Sequence, residues 1–281
     1  MADRLINEGY INEGYIKAGG HRLRWRTLGA LTPTAPTLVF LHEGLGSIRM
    51  WKDFPDQLVE ATGLPALVYD RWGHGESDAL TEPRQRSYRR VEALEVLPEV
   101  LSQFDHGPLV LIGHSDGGAM SLLFAAAHPD AVLGIIGLAP QVEAPSNASV
   151  DTGEQRPGAG GAMRAVIEAF EAGGLRERLA RYHGDNTDSM FYGWANAWSS
   201  PEFAGWEMHE DLLRVRCPVT VIQGDRDPYG YRHNIQALER DLASAPEVCI
   251  HPEAGHIPHH EARAFTLKHA TAAVRRFLSR H

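Results

Sequence analysis

Leu109-Val110-Leu111-Ile112-Gly113-His114-Ser115-Asp116-Gly117-Gly118-Ala119 is the stretch whose reading decides the fold. Four apolar residues in a row suit a short strand buried on both faces, and the apolar run Ala119–Ala127 that follows has a helical pattern. Between them lies Gly113-His114-Ser115-Asp116-Gly117, a G-x-S-x-G motif in strand–turn–helix context. Such a turn holds its serine in a sharp, strained bend. Glycine is needed on both sides, because a side chain would clash where strand and helix approach. A helix that begins beside the serine also aims backbone N–H groups and a positive dipole end at the reaction centre. Ser115 is the candidate nucleophile.

Outward from this turn the chain alternates. Strand-like runs are expected at Leu23–Thr27, Thr37–Leu41, Ala66–Tyr69, Leu109–Ile112, Val132–Leu138, Val219–Ile222 and Val248–Ile250. Helical patterns are clearest at Tyr88–Phe104, Ala119–His128, Arg232–Leu242 and Glu261–Leu278. This alternation implies an α/β fold, a doubly wound and mostly parallel sheet flanked by helices. It breaks once, between about Gln141 and Leu213, where only helical patterns such as Ala162–Glu171 and Ser189–Trp198 occur. The expected organisation is a core of residues 1–140 and 214–281 with a helical cap, 141–213, inserted after Val132–Leu138. The cap opens with Pro145-Ser146-Asn147 and Arg156-Pro157-Gly158-Ala159-Gly160-Gly161, to be read as a hinge or as a surface loop without function. Near the N-terminus Ile6-Asn7-Glu8-Gly9-Tyr10 recurs as Ile11-Asn12-Glu13-Gly14-Tyr15, too short a repeat for a solenoid unit, so a local duplication or a misplaced start codon explains it best.

Composition removes other classes. With 281 residues, 43% apolar, the chain can bury a substantial core, and a net charge of −9 argues against nucleic acid as a partner. Cys217 and Cys249 lie far apart, which fits a reduced protein without a disulfide framework. The opening MADRLINEGY has no apolar leader, and no run reaches the length of a membrane span. A cytoplasmic protein with no membrane association is expected.

Chemistry at Ser115 needs a base and an acid to orient it. The strand Val219–Ile222 is followed by Gln223-Gly224-Asp225-Arg226-Asp227-Pro228, and Val248–Ile250 by His251-Pro252-Glu253-Ala254-Gly255-His256. Both polar groups fall just past the carboxyl ends of strands, where sites in parallel sheets form. His256 is the candidate base, with one ring nitrogen held by Asp227 or by Asp225 and the other taking the serine proton. Asp225 reads alternatively as a turn residue bonded to its own backbone. After Thr37–Leu41, the loop His42-Glu43-Gly44-Leu45-Gly46-Ser47 can turn the N–H of Gly44 toward an oxyanion, with the N–H of Asp116 as second donor. Such donors contribute about 3–4 kcal/mol each.

With these motifs in this order, the sequence resembles the α/β-hydrolase superfamily from about Tyr15 to Leu278. Asp70-Arg71-Trp72-Gly73-His74-Gly75-Glu76-Ser77 resembles its D-x-x-G-x-G-x-S turn, and Gly255-His256 its catalytic-histidine motif. The resemblance implies Asp227 as the acid, because the family's acid usually ends this G-x-x-D turn. Ser115 stands where haloalkane dehalogenases and epoxide hydrolases carry aspartate, which disfavours those chemistries. What it implies is a carboxylic-ester hydrolase, lactones included, acting on a small or medium apolar substrate through an acyl-enzyme and without a cofactor. A carbon–carbon bond hydrolase of dienoate ring-cleavage products would use the same fold and triad. A non-catalytic ligand-binding member of the fold is a third reading, which an intact Ser, Asp and His disfavours.

Glu43, where the family commonly has glycine, and Asp116 depart from the common pattern and are expected to put two carboxylates near the pocket. Neutral esters should then be favoured over anionic dienoates, since Arg71 and Arg226 are the only arginines in these turns and nothing in the sequence shows either reaching the pocket. Phe191, Tyr192, Trp194, Trp198, Phe203 and Trp206 form either a wall over the substrate or ordinary packing. Glu43, Trp194 and Trp198 are the candidate substrate contacts. No metal site is expected from His256, His259 and His260, the last two being read as solvated surface groups; His42, His74 and His114 are read as structural.

Overall fold

The apolar runs become strands with both faces covered. The computed structural model describes residues 4–6, 9–144, 159–203 and 205–280. In it nine strands form one sheet: β1 (Arg4–Ile6), β2 (Gly9–Ala18), β3 (His21–Leu28), β4 (Thr37–Leu41), β5 (Ala66–Tyr69), β6 (Leu109–His114), β7 (Val132–Leu138), β8 (Val219–Gly224) and β9 (Glu247–His251). Their spatial order is β1-β2-β3-β5-β4-β6-β7-β8-β9, antiparallel from β1 to β5 and parallel from β5 to β9. Every residue of β4, β5, β6, β7 and β8 is buried. That is the reason these strands read as continuous apolar runs rather than alternating ones.

Helices cover both faces. They are α1 (Phe54–Thr62), α2 (Tyr88–Val91), which runs through the π-type turn Glu92–Val96 into α3 (Leu97–Leu101), and α4 (Asp116–Ala127). Then follow α5 (Ala159–Glu171), α6 (Gly174–His183), α7 (Thr187–Ser199), α8 (His209–Leu212), α9 (Arg232–Asp241), α10 (Pro258–Glu261) and α11 (Arg263–Leu278). The strand period of two separates the cores. Val39, Leu41 and Leu111 pack with α4 and α9 on one face, while Leu38, Phe40 and Ile112 pack with α1 and α11 on the other. A third cluster, with Met163, Phe170, Leu179, Met190 and Phe191, lies within α5–α7. Among the described residues between β7 and β8 no strand occurs beyond one isolated bridge, Glu143 with Glu207.

β1 and β2 were not anticipated. The second repeat copy lies in β2, where Glu13 and Tyr15 are exposed and Asn12 and Gly14 only half-buried, and the strand-poor run Asn12-Glu13-Gly14 interrupts the signal of Ile11 and Tyr15. Of the hinge-like opening, residues 145–158 lie outside the described residues, whereas Ala159-Gly160-Gly161, expected in a loop, form the first turn of α5. No helix among the described residues is long and apolar enough to cross a membrane.

The strand order reverses between β4 and β6, which sends the loops after these two strands apart at their carboxyl ends. The crevice so opened is where ligands bind in open α/β sheets.

Candidate active site

Ser115 sits in that crevice, in the turn between β6 and α4, with φ 51° and ψ −109°. A side-chain-bearing residue with positive φ is strained, and the surrounding structure must hold it there. Its N–H donates to the Leu138 carbonyl at 2.9 Å, and its own carbonyl accepts from Gly118 at 3.0 Å and Gln141 at 3.3 Å. The flanking glycines are dictated by space. A Cβ on Gly113 would lie 2.2 Å from the Gly117 oxygen, and one on Gly117 would lie 1.9 Å from the Leu41 oxygen.

His256 follows β9 and meets the loop after β8. Its Nδ1 lies 2.7 Å from Oδ2 of Asp227. Asp227 is buried and also accepts from the Gln223 amide at 3.0 Å and the Tyr229 N–H at 2.9 Å. Asp225 instead accepts from the Tyr231 hydroxyl at 2.6 Å, so Asp227 is the aspartate beside the imidazole. Burial pushes the Asp227 carboxyl up, but the charge and hydrogen bond of His256 outweigh it and hold the group below the ordinary carboxylate value. For His256 burial pulls the other way; Asp227 outweighs it and raises the imidazole above its usual value. Glu261 fixes the loop on both sides of His256, accepting from the N–H of Gly255 at 2.6 Å and of Ile257 at 3.0 Å.

Ser115 and His256 open on one cavity of about 630 Å³, which Glu43, Gly44, Trp194 and Trp198 also line. Met163, Leu175 and Leu179 complete an apolar wall from α5 and α6. Gly44 does not take a positive φ. It must be glycine because a Cβ there would lie 2.3 Å from the Trp194 indole. The aromatic run divides its duties. Trp194 and Trp198 face the cavity, Phe191 stacks on Phe170 at 3.6 Å, and Phe203 and Trp206 pack in the core over the Arg89 guanidinium.

Three expectations need correction. Asp116 offers the cavity no carboxylate: its side chain is buried against the Arg89 guanidinium and accepts from the Tyr88 hydroxyl at 2.6 Å. Burial pushes this carboxyl up, and the charges of Arg89 and Arg71 together with the hydrogen bonds from Tyr88 and Arg89 more than reverse the effect. Only the N–H of Asp116, in the unpartnered first turn of α4, is left for an oxyanion. Arg226 does reach the cavity, with its guanidinium paired to Glu253. His259 is buried at 2% exposure rather than solvated, packed between the rings of Trp51 and His114, and His260 is half-buried with its ring 4.4 Å from that of His259.

Sequence reasoning missed the residues that join α5–α7 to the sheet edge. His183, at the end of α6, lies with Nε2 3.0 Å from the Leu45 carbonyl and Nδ1 2.9 Å from the Gly75 N–H. Burial lowers its pKa, in keeping with a neutral ring that donates through Nε2 and accepts through Nδ1. Asn186 donates to the carbonyls of Gly75 at 3.2 Å and Ser77 at 2.7 Å. These partners lie more than 100 residues apart, so no local pattern announces them. His42 and His74 serve the same loops, His42 through the Glu43 carbonyl at 2.8 Å and His74 through that of Gly46 at 3.0 Å. Among the described residues no group of three or more His, Cys, Asp or Glu is arranged to hold a metal ion.

Known proteins with related sequences and structures match this picture. Mouse sn-1-specific diacylglycerol lipase ABHD11 is 34% identical over 99 residues, 35% of this chain and 31% of that one. A proline iminopeptidase of Lactobacillus delbrueckii subsp. bulgaricus is 30% identical over 112 residues, 40% and 38% of the two chains. Each alignment thus spans well under half of the relative's length. The solved esterase EaEST of Exiguobacterium antarcticum superposes with a TM-score of 0.72 at 17% identity, covering 93% of this chain and 98% of that one. An esterase of Thermogutta terrifontis gives 0.65 at 19% identity, covering 96% and 98%. The profile of the Alpha/beta hydrolase family matches residues 38–268. With the strained serine turn, the sheet order and this match across most of its length, the chain belongs to the alpha/beta hydrolase family.

Proposed function

We propose that this protein hydrolyses carboxylic esters, lactones included, of small or medium apolar substrates. Ser115 attacks the carbonyl while Nε2 of His256 takes its proton, and Asp227 holds Nδ1–H and stabilises the imidazolium. The tetrahedral oxyanion is received by the N–H groups of Gly44 and Asp116. Its collapse expels the alcohol, which takes the proton from His256, and water then cleaves the acyl-enzyme by the same route. No cofactor enters this scheme. The observation that carries it is the 2.7 Å Asp227–His256 pair opening, with a serine at φ 51°, on one apolar-walled cavity.

Residues 141–213 act in this reading as a cap over a body of 1–140 and 214–281, with Trp194 and Trp198 against the acyl or alcohol part. The free thiols of Cys217 and Cys249 suit a reducing compartment such as the cytoplasm. A carbon–carbon hydrolase of dienoates gains one observation, Arg226 at the cavity, but its guanidinium is already paired with Glu253. A panel of p-nitrophenyl esters from acetyl to octanoyl, run beside a prolyl amide and an anionic dienoate, tests the reading. Neutral esters should give the highest kcat/KM. A dienoate or prolyl amide turned over faster than every ester would overturn it, and no turnover together with no labelling by a fluorophosphonate would mark a binding protein.

A further inference from the structure

A second carboxylate–imidazole pair stands beside the first. His114, the last residue of β6, is fully buried, and its ring centroid lies 5.2 Å from that of His256. Its Nε2 lies 2.8 Å from the backbone oxygen of His256, and its Nδ1 lies 3.1 Å from Oε2 of Glu43. A carbonyl oxygen only accepts, so Nε2 carries a hydrogen. An ionised carboxylate also only accepts, so a further proton must lie between Nδ1 and Glu43. The pair has room for this contact only because position 46 is glycine: a Cβ there would lie 2.3 Å from Oε2 of Glu43.

We propose that Glu43 and His114 form an imidazolium–carboxylate pair that positions the base, with Glu43 fixing the His114 ring and His114 holding the carbonyl of His256 through Nε2–H. The inference rests on the reading of His256 as the base. His256 is then held at its carbonyl by His114, at its ring by Asp227, and through its neighbours by Glu261. Burial pushes the Glu43 carboxyl up, yet the charge and hydrogen bond of His114 leave it far below the ordinary carboxylate range. The groups facing the two imidazoles are Asp227, Glu43, Glu261, Tyr229 and His259. Burial keeps the imidazole of His259 well below its ordinary value, so it adds no competing charge. Glu43 therefore acts on His256 through His114, as a positioning residue.

The amide of Glu43→Gln can donate to a neutral His114, preserving both hydrogen bonds, whereas Glu43→Leu strips Nδ1 of its partner. His114→Phe keeps the ring and removes the donor to His256. For a neutral ester, Glu43→Leu and His114→Phe should each lower kcat about 10- to 100-fold, with KM moving far less. Glu43→Gln should keep kcat about tenfold or more above Glu43→Leu. Histidine ¹⁵N spectra of the intact protein, recorded at a pH above the acid limb of kcat/KM so that His256 is neutral, should contain one buried ring protonated at both nitrogens. That signal should be lost in His114→Phe and become a neutral Nε2–H tautomer in Glu43→Gln. A neutral His114 in the unsubstituted protein, or Glu43→Leu as active as Glu43→Gln with both melting normally, would overturn the pair. Failure of the triad reading is distinguishable: Ser115 would then take no fluorophosphonate, while the ¹⁵N signature would be untouched.

Discussion

The cavity has two unlike walls. At the carboxyl edge of the sheet, Asp227, His256, Glu43 and His114 are each held in place by hydrogen bonds of 2.7–3.1 Å. The faces that α5–α7 turn to the same space, Met163, Leu175, Leu179, Trp194 and Trp198, are apolar and held by packing. Hydrogen bonds fix angles, which proton transfer requires; apolar packing tolerates changes of shape, which is what a choice among acyl groups requires. The edge should therefore govern kcat, and the helices between β7 and β8 should govern which substrate enters.

Substitutions on each side break or sharpen this division. Ser115→Ala should lower kcat by about 10⁶ while leaving the fold intact, since the turn needs a small side chain and not the hydroxyl. Asp227→Asn should lower kcat by about 10⁴, whereas Asp225→Asn, whose aspartate faces Tyr231, should leave the His256 pair in place and cost far less. Comparable losses in the two variants would remove Asp227 from its role. Arg89 joins the two walls, paired with Asp116 and lying over Trp198 at 4.6 Å and Trp206 at 4.2 Å. Arg89→Leu strands a buried carboxylate and should lower the unfolding free energy by about 3–5 kcal/mol in urea titrations. An unchanged denaturation midpoint would show that the joint is dispensable.

Trp194→Ala should reduce kcat/KM for octanoyl esters about 10- to 100-fold through KM, and for acetyl esters much less, as expected for the loss of apolar contact. A fall in kcat common to all chain lengths would put Trp194 on the chemical side of the division. The smallest effect concerns pH. The imidazole of His256 is raised by Asp227 against the pull of burial, so the acid limb of kcat/KM should lie above the ordinary histidine value of about 6.5. In Asp227→Asn that limb should move to lower pH, because the charge that favours the imidazolium is gone. The same raised pKa contributes stability that is fully present below the unfolded value and is lost as pH rises through the folded one.

The edge was legible in the sequence because its requirements are local. Gly113 and Gly117 answer clashes of 2.2 and 1.9 Å around one turn, and short polar motifs directly follow buried apolar strands. Gly44 was legible as a residue, but its cause was not: the indole that excludes a Cβ comes from α7, 150 positions away. Asp116 was misjudged for the same reason. Its charge is cancelled by Arg89, which carries no mark in the sequence as a partner for position 116. His183 and Asn186 went unseen because residues that tie one layer to another have no period and no motif. β2 was missed because Asn12, Glu13 and Gly14 interrupt its strand pattern, while pairing with β3 along its length and burial of Ile11 and Ala18 hold it in place.

The central claim is that the sheet edge activates Ser115 through His256. It is tested most directly by treating the protein with a fluorophosphonate and locating the adduct by peptide mass spectrometry. One adduct per chain is expected, on the peptide carrying Ser115, forming far more slowly in His256→Gln and not at all in Ser115→Ala. Labelling of Ser115→Ala at the undiminished rate, or no adduct on Ser115 in the folded protein, would contradict the account.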